Sequence, residues 1–302
     1  MSAPAGVRTD YPLERLATVR TGGPADFFAR PGTLDKLLEL LRWADSEGHE
    51  VGVVGSGSNL LISDSGFRGL VLKLDEELAK IEQQGNRLVC GGGARLPTAS
   101  AQAARAGLSG LEFGVNIPGT VGGAVKMNAN AYGGDLSRVL EWVSIATPAG
   151  SERRVPADLG FQYRRSNLKP REVVAQASFA LSPAEPSEVK ATLAGMRAQR
   201  REAQPSGIKT FGSTFKNPDD PKAEGRSAGV LLDQAGCRGL QVGRARFSEK
   251  HANFVENMGD ATTADVIALM AEGRRRVRDA FGIELEPEVQ LLGQVDTSEL
   301  FT

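Results

Sequence analysis

Apolar residues alternate along the chain between a helical and an extended period, and the changes of period mark its elements. Leu34, Leu37, Leu38 and Leu41 recur at helical spacing behind Thr33, a good N-cap, and Gly48 stops the run. Residues 51–54, Val-Gly-Val-Val, then read as a strand and complete an αβ unit with that helix. Another short strand is expected at 70–74, and the charge-rich stretch 75–84 suggests a boundary. Residues 87–90 read as a strand entering Gly91-Gly92-Gly93. A small-residue helix is expected from Leu96 to Ala106, with Pro97 in its first turn. Strand-like segments fill 139–180, and Pro183 and Pro186 bracket a turn before an amphipathic helix ending near Gln204-Pro205. From Gly207 the pattern is turn-rich, then gives a helix, a strand and a long helix over about 263–280; 284–292 closes as a strand. Arg274, Arg275, Arg276 and Arg278 crowd the end of the long helix, where a solvated face complementing the helix dipole is the ordinary reading.

Two glycine-rich loops interrupt this pattern. Gly55-Ser56-Gly57-Ser58-Asn59 follows the strand at 51–54 directly, and Ile117-Pro118-Gly119-Thr120-Val121-Gly122-Gly123-Ala124 follows the small-residue helix. Small residues let backbone N–H groups approach an anion unobstructed. Ser56, Ser58, Asn59 and Thr120 add hydroxyl and amide donors. One glycine cluster is usually an ordinary turn; two of this composition point to a pyrophosphate-containing cofactor. The first loop lacks the third glycine of a Rossmann fingerprint and runs into a strand-like Leu60-Leu61-Ile62 rather than a helix. No Gly-Lys-Ser or Gly-Lys-Thr occurs, which excludes a nucleoside-triphosphate P-loop.

Composition narrows the chemistry further. With 302 residues the chain is long enough for two or three compact parts. A net charge of −1 gives no general attraction to nucleic acid or anionic membrane. No apolar run is long enough to span a bilayer, and residues 1–10 lack a signal-peptide pattern, so a cytoplasmic protein is expected. Cys90 and Cys237, with His49 and His251, fit no metal or redox spacing, and no metal site is expected. Chemistry must come from a bound cofactor, carboxylates, hydroxyls and basic side chains.

Four further segments can carry such groups, each against an ordinary structural role. Tyr163-Arg164-Arg165-Ser166 offers a guanidinium for a carboxylate, or a surface turn. Gly212-Ser213-Thr214-Phe215-Lys216-Asn217-Pro218 gathers a hydroxyl, an ammonium and an amide between Gly and Pro, or is a plain turn. His251-Ala252-Asn253-Phe254 orients a ligand or holds a satisfied core histidine. Glu286-Pro287-Glu288-Val289 places Glu288 on a strand, where an exposed carboxylate is the ordinary reading.

Taken in this order, these segments resemble the UDP-N-acetylenolpyruvoylglucosamine reductase family. The resemblance runs from about Thr18 to Gly293 and also includes Arg20-Thr21-Gly22-Gly23-Pro24-Ala25, Met127-Asn128-Ala129 and Ala131-Tyr132-Gly133. It implies an α+β fold: a two-part FAD-binding unit of the vanillyl-alcohol-oxidase type, over 1–78 and 79–204, with FAD between its parts. A C-terminal α/β substrate-binding domain, 205–302, would close over the substrate. It places Arg164, Ser213 and Glu288 on the family's catalytic positions. Tyr163, Lys216 and Asn217 fall at substrate-binding positions, Asn217 toward the pyrophosphate. FAD, held non-covalently, falls to Gly55, Ser56, Gly57, Ser58, Asn59 and Leu60 and to Pro118, Gly119, Thr120, Gly122 and Gly123. Tyr163 is the last tyrosine, so the chain resembles the branch lacking a tyrosine-bearing insertion. Asn130 stands where the family commonly has glycine, and Asn tolerates the left-handed backbone expected there. The atypical Lys209-Thr210-Phe211 carries no lysine role.

The resemblance implies hydride transfer from NADPH through FAD to the vinyl carbon of UDP-N-acetylglucosamine enolpyruvate, giving UDP-N-acetylmuramate for peptidoglycan. Arg164 would stabilise charge developing at the substrate carboxylate, Ser213 would deliver the proton with Lys216 easing its loss, and Glu288 would hydrogen-bond or relay. No nucleic-acid or membrane partner is expected, and a monomer is. The rival readings are an FAD-dependent oxidase or dehydrogenase acting on an alcohol, and a flavin- or nucleotide-binding protein without turnover. A mere binding module has no need of Arg164, Ser213 and Glu288 together.

Overall fold

The computed structural model describes residues 2–301. It divides into two compact units that do not follow chain order. The first comprises residues 1–10, 26–56 and 68–200, and the second 11–25, 57–67 and 201–302. The chain thus passes from one unit to the other inside the first glycine loop.

The first unit is built on two sheets. The strands Arg8–Pro12, Pro24–Ala29, Phe67–Leu72 and Glu50–Val53 form one in that order, with Glu50–Val53 parallel to Phe67–Leu72. The helix Leu34–Ser46 precedes Glu50–Val53, with Thr33 Oγ1 accepting the Lys36 N–H at its N-terminus. It buries Leu37, Leu40, Leu41, Trp43 and Ala44 into a core shared with Leu70, Leu72 and Leu78. The second sheet is antiparallel: Gly150–Arg154, Leu140–Thr147, Val173–Ala180, Arg87–Gly91 and Ile81–Gln84. The charged stretch at 75–84 therefore ends in an edge strand, where its exposed polar side chains belong. The helix Leu96–Arg105 packs Leu96, Ala99 and Ala103 into the second core.

The strands Arg8–Pro12 and Pro24–Ala29 were not expected, and neither was one helix. The second glycine loop turns into a short helix, Val121–Lys126, with Thr120 Oγ1 accepting the Gly123 N–H at 3.4 Å. Two glycines in its first turn hide it from propensity; burial of Val121, Ala124 and Val125 supplies what propensity lacks.

In the second unit the helix Thr263–Phe281 matches the expected long helix and opens with a capping box between Thr262 and Asp265. Its terminal arginines form ion pairs, Arg275 and Arg276 with Glu272 and Arg275 with Asp279, as a solvated face should. The strands Gln241–Val242, Ala245–Phe247 and Val255–Asn257 make an antiparallel sheet. Of the segment 284–292 only Gln290–Leu292 is a strand, paired in parallel with Leu60–Ile62. The early segments are tied in by side chains: Asn257 Nδ2 donates to Val19 O at 2.8 Å, and Ser63 Oγ to Gln294 O at 2.7 Å.

Candidate active site

In the second unit, backbone pairing brings together segments far apart in sequence. Ser213 pairs with Phe254, and Phe215 with Pro287, as isolated antiparallel bridges. Thr214 N donates to Asn253 O at 2.8 Å, and Glu288 N donates to Thr214 O at 2.8 Å. Ser213 and Glu288 thus lie on neighbouring segments, both half-buried. The first loop joins them: Asn59 Nδ2 donates to Glu288 O at 3.2 Å, and Gln290 N donates to Asn59 O at 3.1 Å. Lys216 Nζ pairs with Glu286 Oε2 at 3.0 Å. Asn217 Oδ1 accepts from Ala228 N at 3.1 Å, so this exposed side chain faces the start of the helix Ala228–Gln234.

Asn253 is the clamp of this arrangement. Its Oδ1 accepts from Phe215 N and its Nδ2 donates to Phe215 O, both at 2.9 Å. His251 Nδ1 in turn accepts from Asn253 N at 3.2 Å, which assigns the imidazole proton to Nε2. Burial depresses the His251 pKa below its ordinary 6.5, keeping it the neutral acceptor this contact needs. The satisfied-core reading of His251 therefore describes it, one step removed from the Ser213 segment.

In the first unit, Tyr163 and Arg164 occupy the centre of a tight turn closed by Gln162 N to Arg165 O at 3.0 Å and Arg165 N to Gln162 O at 3.2 Å. Arg164 has φ +56, a left-handed backbone that costs about 1–3 kcal/mol for a side chain of this kind. Surrounding bonds hold it: Asn128 Nδ2 donates to Gln162 O at 3.2 Å, and Ser166 Oγ to Lys126 O at 2.8 Å. Arg164 Nη1 donates to both Asn130 O and Asn130 Oδ1, at 3.0 and 2.9 Å. This corrects the expectation for Asn130. It lies in the strand Asn130–Ala131 without a positive φ, and its side chain serves Arg164 instead of a turn.

The two glycine loops differ in how they use their backbone. In the first, acceptors are engaged: Gly55 O receives Lys73 Nζ, and Gly57 O receives both Thr18 N and Thr18 Oγ1 at 3.0 Å. Among the described residues, the N–H groups of Ser56, Gly57, Ser58 and Asn59 meet no protein acceptor. A run of donors with its carbonyls tied back is what an anion requires. In the second loop the donors are engaged: Gly119 N to Ile117 O, Val121 N to Ala94 O and Gly122 N to Gly92 O, at 2.7, 2.8 and 2.8 Å. Added Cβ atoms test the glycines. At Gly55 one would fall on Thr120 Oγ1 and at Gly57 on Leu16 O, whereas at Gly119 the nearest atom is Ile117 Cγ2 at 3.9 Å, and at Gly123 Thr120 Oγ1 at 3.5 Å. Protein packing demands the first two; nothing in the protein demands the last two. The open donors of the first loop fit the pyrophosphate of a cofactor, and Gly119 and Gly123 of the second leave room beside their own backbone.

Sequence reasoning missed Lys73 and the parts played by Asn130 and Asn253. Lys73 is invisible because its partner is a backbone carbonyl. Asn130 and Asn253 act on residues far along the chain. Among the described residues no cluster of His, Cys, Asp or Glu could hold a metal, and no helix is long and apolar enough to cross a membrane. Cys90 is buried, which pushes its thiol up to about 12 and makes it inert.

Comparisons with known proteins bear on the same residues. A family model described as FAD binding domain matches residues 25–155. Another, described as UDP-N-acetylenolpyruvoylglucosamine reductase, C-terminal domain, matches 204–292. The UDP-N-acetylenolpyruvoylglucosamine reductase 2 of Symbiobacterium thermophilum is 43% identical over 292 residues, covering 96% of this chain and 93% of that protein. The UDP-N-acetylenolpyruvoylglucosamine reductase of Gluconobacter oxydans is 43% identical over 289 residues, covering 95% and 92%. The crystal structure of UDP-N-acetylenolpyruvylglucosamine reductase from Thermus caldophilus aligns with a TM-score of 0.81 at 35% identity, over 95% of this chain and 99% of that one.

Proposed function

The chain belongs to the UDP-N-acetylenolpyruvoylglucosamine reductase family, and we propose that it takes hydride from NADPH to reduce UDP-N-acetylglucosamine enolpyruvate to UDP-N-acetylmuramate. It is an FAD-containing oxidoreductase of peptidoglycan precursor synthesis, of the branch without the tyrosine-bearing insertion. The observation that carries the cofactor assignment is the first loop, whose backbone donors from Ser56 to Asn59 lie open among the described residues while the Gly55, Gly57 and Asn59 carbonyls are tied back. FAD is held there without a covalent bond, since the loop contains no histidine or cysteine. Gly55 to Leu60, with Pro118, Gly119, Thr120, Gly122 and Gly123, make up the cofactor set.

Held by the residues of the two loops, FAD would supply the hydride that reduces the vinyl methylene carbon of the enol ether. Negative charge then develops on the neighbouring carbon and its carboxylate. Arg164 meets that carboxylate with its planar fork, lowering the barrier where charge appears. Ser213 Oγ gives its proton to the neighbouring carbon, completing addition across the double bond. Lys216 stabilises the alkoxide left behind, and Glu288 hydrogen-bonds or relays the replacement proton. Tyr163 and Asn217 bind the sugar nucleotide. The three-part division 1–78, 79–204 and 205–302 is retained as the functional one, supported by an apolar core from Leu88 to Leu181 that lies within the second part. Such an enzyme works as a cytoplasmic monomer, with no nucleic-acid or membrane partner, and its product supports cell shape and division.

Replacing Ser213 with alanine tests the scheme. Loss of one positioned acid removes a factor of about 10² to 10⁴. That loss belongs in single-turnover oxidation of pre-reduced enzyme by the enolpyruvyl substrate, while reduction by NADPH keeps its rate. Ser213→Cys retains more activity than alanine. Equal slowing of both halves means a damaged loop and removes Ser213 from the mechanism. Reduced enzyme that reoxidises quickly only with oxygen turns the reading toward an oxidase.

A further inference from the structure

We infer that His251 is a positioning residue for the proton donor: seated on Gly229, its imidazole fixes Asn253, which holds the Ser213 segment in place. The inference rests on the reading of Ser213 above.

Two contacts of different kinds locate the ring. One is a hydrogen bond, Nδ1 accepting from Asn253 N at 3.2 Å. The other is a close fit. A Cβ added to Gly229 would stand 2.6 Å from His251 Cε1, and 3.3 and 3.4 Å from Nδ1 and Nε2. Gly229 lies buried in the helix Ala228–Gln234 without a positive φ, so its backbone does not call for glycine; the imidazole does. The seat is itself held, because the neighbouring Ala228 N donates to Asn217 Oδ1 at 3.1 Å. Phe254 packs edge-on against the ring with centroids 4.9 Å apart, and Phe254 N donates to His251 O at 3.0 Å. A half-buried imidazole located by Gly229, Asn253 and Phe254 together has little freedom to leave its acceptor position.

What the ring fixes leads to the hydroxyl. Asn253 is buried; its amide spans Phe215 N and O, and its carbonyl receives Thr214 N at 2.8 Å. Phe254 forms a bridge with Ser213. Asn253 and Phe254 therefore hold residues 213–215 between them. Without Nδ1 the Asn253 N–H would be a buried donor lacking its partner, and the clamp would be free to turn. An acid must stand within hydrogen-bond reach of the atom it serves, and a misplacement of about 1 Å costs about 10² in rate. The bond from Asn253 N to His251 spans two residues, the spacing of an Asx turn, so an asparagine oxygen in the same place can accept it as well.

The test uses the FAD-loaded enzyme with His251→Leu, His251→Asn, Gly229→Ala and the Gly229→Ala/His251→Asn double variant, and Ser213→Ala as the reference. Two rates are read from the flavin absorbance: single-turnover oxidation of reduced enzyme by the enolpyruvyl substrate, and reduction of oxidised enzyme by NADPH. His251→Leu keeps an apolar body and loses the acceptor; it should slow oxidation roughly tenfold and leave reduction at the parental rate. His251→Asn restores an acceptor at the same spacing and should recover most of that loss, a rescue that a packing role would not give. Gly229→Ala pushes the imidazole off Asn253 and should match His251→Leu. In the His251→Asn background the same methyl group has no ring to displace and should cost nothing further. His251→Ala takes the place of His251→Leu should that variant be unstable. Parental oxidation in His251→Leu or in Gly229→Ala, beside a crippled Ser213→Ala, overturns the inference alone. Equal slowing of oxidation and reduction overturns it too, as does a His251→Asn enzyme no faster than His251→Leu, or a Gly229→Ala effect as large in the His251→Asn background as in the parent. A Ser213→Ala enzyme as fast as the parent overturns the reading of Ser213 and the inference with it.

Discussion

The two glycine loops look alike in sequence and are built in opposite ways. In the first, Gly57 takes φ +64 with Leu16 O where a side chain would stand, and the carbonyls of Gly55 and Gly57 are tied back. Its glycines shape the backbone, and the open N–H groups are the result. In the second, the N–H groups of Gly119, Val121 and Gly122 are satisfied inside the protein, while Gly119 and Gly123 have room for a methyl group. Its glycines leave free surface. A glycine can be required by the chain or by what the chain holds, and only the surroundings tell which.

Substitution separates the two cases. Gly57→Ala should be the most damaging change, at about 3 kcal/mol of stability from left-handed strain and overpacking together. Denaturant unfolding of the cofactor-free protein reads it. A midpoint equal to the parent's would mean that the first loop does not need its geometry. Gly119→Ala and Gly123→Ala should go the other way, unchanged or up to about 1 kcal/mol more stable, because both positions lack a positive φ. Their loss should appear in FAD affinity, roughly tenfold weaker by flavin fluorescence titration, an energy of about 1.4 kcal/mol. Unaltered FAD affinity would take both glycines out of the cofactor set.

What could be seen in the sequence follows the range of the interactions. The helix Leu34–Ser46 and the strand Glu50–Val53 were legible because cap, period and stop signal lie within one short window. The helix Val121–Lys126 was not, since Gly122 and Gly123 argue against it and only packing argues for it. The segment 284–292 was read as too much strand: its partner Leu60–Ile62 is three residues long. For the site, residue types were legible through the motifs, but their mutual placement was not. Glu288 reaches Ser213 through the Thr214 carbonyl, and Asn130 reaches Arg164 through a turn that no spacing announces. The sequence suggested that Asn130 replaces a glycine for backbone reasons; the side chain turned out to matter.

Hydroxyls carry the same contrast at a smaller scale. Thr120 caps the helix that follows the second loop, and Thr120→Ala should lower stability by about 1 kcal/mol. Ser58 Oγ has no protein partner among the described residues, so Ser58→Ala should change stability by less than about 0.5 kcal/mol. Thermal unfolding of the two cofactor-free variants checks the ranking. A larger loss at Ser58 would mean that the first loop is braced by its side chains rather than by its carbonyls.

The smallest effect concerns the tether of the first loop. Lys73 Nζ donates to Gly55 O from a half-buried position, and its pKa is lowered from the ordinary 10.5, first by burial, then by Arg30, with Arg95 adding and Asp75 opposing. The folded protein therefore releases this proton more readily than the unfolded chain does. Between the lowered value and 10.5 the unfolded state holds more protons, so this group's contribution rises with pH, is complete above 10.5, and is lost as pH falls through the folded value. Lys73→Met should flatten that rise, read as the difference in urea midpoint between variant and parent from about pH 8 upward. Thr120→Ala, whose hydroxyl does not titrate in this range, should keep the parental slope. If Lys73→Met and the parent follow the same slope, the ammonium is not held in the buried contact with Gly55, and the first loop's carbonyls must be tied back by Thr18 and Gln290 alone.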